Sequence, residues 1–294
     1  MTIADGIVPV STAATAALLK RSIPDDLPPQ MWPDRDPGIA ADPDVRDLRD
    51  RLDETLTHGD GYAIVRMESL VDRPSDLVSA FWNLFVSLGQ PLPQYSTGER
   101  SFQVRDEGAA PTRNHYSATN RGGGYHTDGT FLPETPFYVG LMCVRQSLYG
   151  GDSVLIDIRK LHRELQQNYP HVLQALERSY HFDCCGQFPE VQTRHQPILS
   201  QRDGQPFVRY LRGYINTGHE KLGIPLEEET IAALDTFDAL LDRDEFQWTY
   251  KLHPGDMLVF NNTIMLHGRK AFADDKDNKM RSRRLMVRVY ARQY

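Results

Sequence analysis

Apolar residues recur at steps of three and four from Pro74 to Leu88, where Leu77, Val78, Phe81, Leu84, Phe85 and Leu88 fall on one stripe. That spacing predicts an amphipathic helix. Residues 44–56 repeat the period and predict an earlier helix, with the apolar run 61–65 (GYAIV) after it as a short buried strand. Beyond Gly89 the pattern changes to short runs with strand character: residues 102–105, 137–144, 153–158, 207–214, 257–261 and 285–291. Turns such as Gly150-Gly151-Asp152 and Pro254-Gly255-Asp256 separate them, and helices near 159–169 and 226–242 interrupt the series. Helices first and strands later predict an α+β chain, mainly β with flanking helices, on a jelly-roll (double-stranded β-helix, cupin-like) core.

The flanks change this picture a little. Pro24, Pro28, Pro29, Pro33, Pro37 and Pro43 stand among acidic residues, so residues 1–44 are expected to form a proline-rich arm over the core rather than an element of it. Residues 45–294 are then one domain. At 40% hydrophobic and 25% charged the chain can bury a full core. A net charge of -7 argues against a general nucleic-acid partner, and the basic run at 281–284 is too short to reverse that. No apolar run reaches the roughly 20 residues of a membrane helix. The N-terminus has no basic start leading into an apolar stretch, so no secretory signal is expected. Cys143, Cys184 and Cys185 make no disulfide framework, which suits reduced thiols in the cytoplasm.

Chemistry enters at His126-Thr127-Asp128. Two residues apart on a strand share a face, so a histidine and a carboxylate there can supply two ligands of a facial metal triad. His181-Phe182-Asp183 has the same spacing and is a rival. A third ligand candidate, His267, ends an apolar approach after the turn at Pro254 and the polar reversal Asn261-Asn262-Thr263; a satisfied core histidine is the alternative. Downstream, Arg284, Met286 and Arg288 share one strand face. Two guanidinium groups aimed at an interior are costly to bury unless an anion meets them, and Arg suits a buried carboxylate; a surface strand is the plainer reading. Arg121-Gly122-Gly123-Gly124 lacks the Gly-Lys-Ser/Thr ending of a phosphate loop. It belongs with a lid spanning about 105–125.

His126-Thr127-Asp128 with Thr130-Phe131, Glu134-Thr135-Pro136 and Gly150-Gly151-Asp152-Ser153 resembles the taurine dioxygenase branch of the iron(II)/2-oxoglutarate oxygenases. Leu266-His267-Gly268-Arg269 with Phe272 is more similar to the clavaminate synthase and amino-acid hydroxylase branch, and Arg283-Arg284 with Arg288 to the terminal strand of both. The resemblance covers roughly residues 45 to 294. It implies iron(II) on His126, Asp128 and His267, with 2-oxoglutarate and O2 as co-substrates and Ser153, Arg284 and Arg288 along the 2-oxoglutarate. It also selects against His181, since no glycine turn and serine follow, and Cys184-Cys185 would be vulnerable beside an oxidising metal. Asp128 disfavours halogenation, because related halogenases lack that carboxylate. The implied reaction is decarboxylation of 2-oxoglutarate to succinate and carbon dioxide, with hydroxylation of an unactivated C–H bond of a small molecule. An amino acid or amino-acid-derived natural product is the expected substrate. Desaturation, epoxidation, ring closure and a non-catalytic iron/2-oxoglutarate sensor stay open as alternatives, as does a homo-oligomer. The resemblance nominates Gln103, Arg105, Tyr125 and Arg212 as the substrate's contacts, and an anionic substrate if both arginines face inward.

Overall fold

The computed structural model describes residues 6–107, 119–122, 124–274 and 283–294. Most of the expected lid, and Arg281 and Ser282 of the basic run, lie outside the described residues. The first elements are β1 (Ile7–Pro9), α1 (Thr12–Leu18), α2 (Pro43–Thr57), β2 (Tyr62–Arg66), α3 (Pro74–Leu88), β3 (Gly89–Leu92) and β4 (Ser101–Val104). Then come β5 (Tyr138–Arg145), β6 (Tyr149–Gly150), β7 (Ser153–Asp157), α4 (Ile158–Asn168), α5 (Pro170–Leu176), β8 (Ser179–Asp183), β9 (Thr193–Pro197), β10 (Leu199–Arg202) and β11 (Gln205–Val208). The chain ends with α6 (Arg212–Leu222), α7 (Glu228–Leu241), β12 (Gln247–Tyr250), β13 (Asp256–Asn261), β14 (Met265–Arg269), β15 (Phe272–Ala273) and β16 (Leu285–Gln293).

A seven-stranded sheet runs β1-β2-β13-β5-β16-β3, with β4 also on β16, and a three-stranded sheet runs β12-β7-β14. The period of two decides what each face meets. On β13, Met257 and Val259 pack outward under α2 and α3, while Leu258 and Phe260 pack inward among residues of β7, β14 and α7. β16 repeats this: Val287, Val289 and Ala291 face the helices, and Met286 and Tyr290 face the interior between the sheets. Arg284 and Arg288 keep that inward phase. Helix α3 comes so close to the sheet that a Cβ on Gly140 would lie 2.2 Å from the Phe85 ring. Only glycine fits there.

The arm needs amending. β1 pairs in parallel with β2, and Val8, Ala14, Ala17 and Leu18 are buried against α2 and α3, so the segment's first part belongs to the body. Its proline-rich remainder covers α3, with Trp32 edge-on to Trp82 at 4.9 Å. The expected strand at 207–214 is also shorter. β11 ends at Val208 and α6 starts at Arg212, a change that sets one wall of the cavity described below.

Candidate metal centre and substrate cavity

His267 sits in β14, and His126 bridges to it by reciprocal backbone hydrogen bonds (His126 N to His267 O, 3.0 Å; His267 N to His126 O, 2.8 Å). His126 is therefore held by a single bridge, not by the longer strand expected. Asp128 begins a turn, and Asn262 fixes it: Asn262 Oδ1 accepts from Asp128 N at 2.8 Å, and Nδ2 donates to the carbonyls of Asp128 and Pro136. Thr127 is tied to Tyr210 in both directions, through Thr127 N to Tyr210 O and Tyr210 N to Thr127 Oγ1. Segments far apart in sequence thus fix three donor groups in space.

The ligand atoms of His126, Asp128 and His267 lie within 4.8 Å of one another, and among the described residues no other such cluster exists. Asp128 Oδ2 is 3.3 Å from His267 Nε2, and Oδ1 is 3.9 Å from His126 Nε2. The carbonyl of Gly124 can only accept, so His126 Nδ1, 3.2 Å away, carries the proton and Nε2 keeps its lone pair. Burial, then the neighbouring His267, lowers the His126 pKa to about 4, so the imidazole is neutral at ordinary pH. Burial would raise Asp128, but Arg288 and the two histidines hold it far below the usual carboxylate range. A neutral imidazole lone pair, a second imidazole and an ionised carboxylate converging in a buried place repel unless a cation meets them. That donor set on one side fits a facial iron site.

Arg288 stands directly behind. Its Nη1 donates to Asp128 Oδ1 at 3.1 Å, Nε to Gln94 Oε1 at 2.9 Å and Nη2 to the Tyr95 hydroxyl at 3.2 Å. Tyr290 lies under the guanidinium at 4.7 Å, its hydroxyl pushed well above its ordinary pKa by burial. A cavity of about 490 Å³ opens onto these groups, lined by Tyr125, Thr130, Phe131, Tyr214, Arg212 and Asp238 among others. Tyr125, nominated by the resemblance, is thus among the residues that line it. Arg284 is apart from this cavity: it is 1% exposed, 5.1 Å from the Phe272 ring and packed on Gly151, the turn that leads into buried Ser153.

Two expectations fail. Gln103 and Arg105 line a different cavity, beneath the proline-rich segment, because Phe102 and Val104 take the inward phase of β4. Arg212 does line the cavity beside Asp128, but its guanidinium is held by Asp235 at 2.7 Å and Asp238 at 3.1 Å, so it offers no spare charge for an anion. The rival pair is structural: Lys221 neutralises Asp183 at 2.7 Å, and His181 stacks on His195 at 4.4 Å. Sequence reasoning missed Asn262, Gln94, Tyr95 and Tyr290. Only Tyr290 carried a signal, being two residues from Arg288 on the same face.

Residues 32–290 match the family described as taurine catabolism dioxygenase TauD, TfdA family. The chain belongs to this family. It is a non-haem iron dioxygenase that consumes 2-oxoglutarate and O2. Among curated members, FR-33289 synthase of Streptomyces rubellomurinus is 30% identical over 246 residues, covering 81% of this chain and 70% of its own. The human gamma-butyrobetaine dioxygenase is 30% identical over 181 residues, 58% of this chain and 45% of that protein. A solved asparagine oxygenase, in complex with Fe(II), 2S,3S-3-hydroxyasparagine and succinate, superposes with a TM-score of 0.71 at 17% identity, covering 97% of this chain and 93% of that one. At that identity the likeness speaks for the fold. No described helix is long and apolar enough to cross a membrane.

Proposed function

We propose that this family member hydroxylates an unactivated C–H bond of an amino acid or amino-acid-derived small molecule in the cavity beside Asp128. The observation that carries the reading is the convergence of His126, Asp128 and His267, the first two of which line that cavity. In it these three residues hold iron, Arg284 and Ser153 hold the distal carboxylate of 2-oxoglutarate, and the two facing sheets are the halves of a jelly roll. Arg284 is buried against the Gly151 turn that leads into Ser153, and the forked donors of a guanidinium suit a carboxylate.

Iron(II) with 2-oxoglutarate and O2 supplies the oxidising power that removes hydrogen from carbon. The chain's part is to place and protect. Arg288 keeps Asp128 ionised and aims its carboxylate, because its three donor positions are fixed by Asp128, Gln94 and Tyr95. Gly124 sets the His126 tautomer, and Asn262 stops the Asp128 backbone from rotating away. Tyr125, Phe131, Leu211 and Tyr214 surround the substrate with apolar surface, which excludes water from the reacting carbon. The test is a succinate-release screen across amino acids. Release stimulated by at least one of them supports the reading, and stimulation by none, from protein that binds iron and 2-oxoglutarate, refutes it.

A further inference from the structure

The part of the cavity wall formed by α6 and α7 carries the reverse of the charge that Arg212 suggested. α7 and the Asp242 that caps it place Asp235, Asp238 and Asp242 at steps of three and four, on one helix face. Asp238 and Asp242 line the cavity, as does Arg212. Arg212 is already met by Asp235 and Asp238, and the Tyr210 hydroxyl donates to Asp238 at 2.5 Å. One guanidinium among three carboxylates leaves this wall net negative. Asp238 and Asp242 also stand in and just beyond the last turn of α7, where the helix dipole disfavours negative charge and the helix itself carries no basic residue. Such an arrangement is unfavourable in the empty protein and is relieved by a bound cation.

A second observation points to a ligand in the same cavity. Thr130, 1% exposed, has a buried hydroxyl with no hydrogen-bond partner, and it lines the cavity two residues beyond Asp128. A hydroxyl left so is costly unless something polar arrives to meet it.

We propose that the substrate carries a side-chain cation, an ammonium or guanidinium group additional to any α-ammonium, received by Asp238 and Asp242 while Thr130 hydrogen-bonds another polar group of the same molecule. This rests on the assignment of the metal centre above and names its substrate class. The two carboxylates then determine specificity by charge, and the length between Asp242 and the metal sets which carbon is presented.

The test uses the full chain loaded anaerobically with iron(II) and 2-oxoglutarate, whose visible charge-transfer band is perturbed when a molecule seats beside the metal. L-Lysine and L-arginine are titrated against their neutral counterparts L-norleucine and L-citrulline, and against L-glutamate. At least one cationic ligand should saturate the perturbation at a concentration about tenfold or more below its neutral counterpart, as expected for a charged hydrogen bond. The exposed Asp242→Asn should remove most of that advantage and leave 2-oxoglutarate affinity unchanged, and Asp242→Arg should turn the preference towards L-glutamate. Preference for a neutral or anionic ligand in the unaltered protein, no perturbation by either cation, or an Asp242→Asn variant that keeps the full preference each overturns the proposal. Absence of the band altogether sinks the metal-site assignment itself, and the proposal with it.

Discussion

Gly218 stands in the middle of α6, where alanine ordinarily adds about 1 kcal/mol of helix stability. Here the sign reverses. A Cβ on Gly218 would lie 2.1 Å from the carbonyl oxygen of His181 and 2.9 Å from the amide nitrogen of Asp183, both backbone atoms of β8. Neither can rotate aside. Carbon and carbonyl oxygen approach to about 3.3 Å, so α6 must retreat by about 1 Å in a Gly218→Ala variant. Overpacking of this kind costs about 1–3 kcal/mol, against the roughly 1 kcal/mol that the helix gains. An approach of 2.1 Å to rigid backbone belongs at the upper end of that cost, so we expect a net loss of about 2 kcal/mol, read as a thermal midpoint lower by about 4–8 °C. Because α6 carries Arg212 and Tyr214 into the cavity, the retreat should also weaken whatever ligand perturbs the charge-transfer band, with 2-oxoglutarate affinity unchanged. Circular dichroism melts of the two proteins check the first point. A midpoint equal to or above that of the unaltered chain would refute the close approach of α6 to β8.

His126→Ala or Asp128→Ala should abolish the anaerobic charge-transfer band, whereas His181→Ala should leave it intact; spectral titration with iron(II) decides. Arg284→Met should raise the 2-oxoglutarate dissociation constant by more than about tenfold, and Gln103→Ala with Arg105→Ala should leave it and ligand binding unchanged, both measurable by the same titration. In the metal-free protein His126 is held neutral down to about 4, while its unfolded counterpart takes a proton near 6.5. The unfolded chain therefore binds more protons between these values. Stability from His126 is complete above about pH 6.5 and is lost as pH falls towards 4, and urea unfolding of the apoprotein across that window should show the decline.

How far the sequence could be read depended on whether a position's neighbours were local. α3 was plain because its apolar stripe repeats over the whole length, and β13 because a buried strand between two packed layers is apolar from Met257 to Phe260. α6 was not, since Ile215 and Gly218 are its only buried residues and no stripe exists to count. The metal residues were legible as an ordered set of short motifs, while Asn262, which holds Asp128 in place, looked like one more polar residue in a reversal. The sense of Gln103 was available in principle: Phe102 and Val104 claim the inward phase, which sends Gln103 out. Arg212 could not be read at all, because the carboxylates that neutralise it lie a helix away.

The division of labour between sheet and helices has a consequence for how such a protein changes over generations. His126, His267 and Arg288 are anchored on strands and their bridges, whereas the acidic wall is borne by α6 and α7, within the stretch between β11 and β12. Mutations on α6 and α7 alter what is admitted and leave in place the strands and bridges that hold His126, His267 and Arg288. A chain built this way can exchange one substrate for another by small steps, keeping a working metal site at every one.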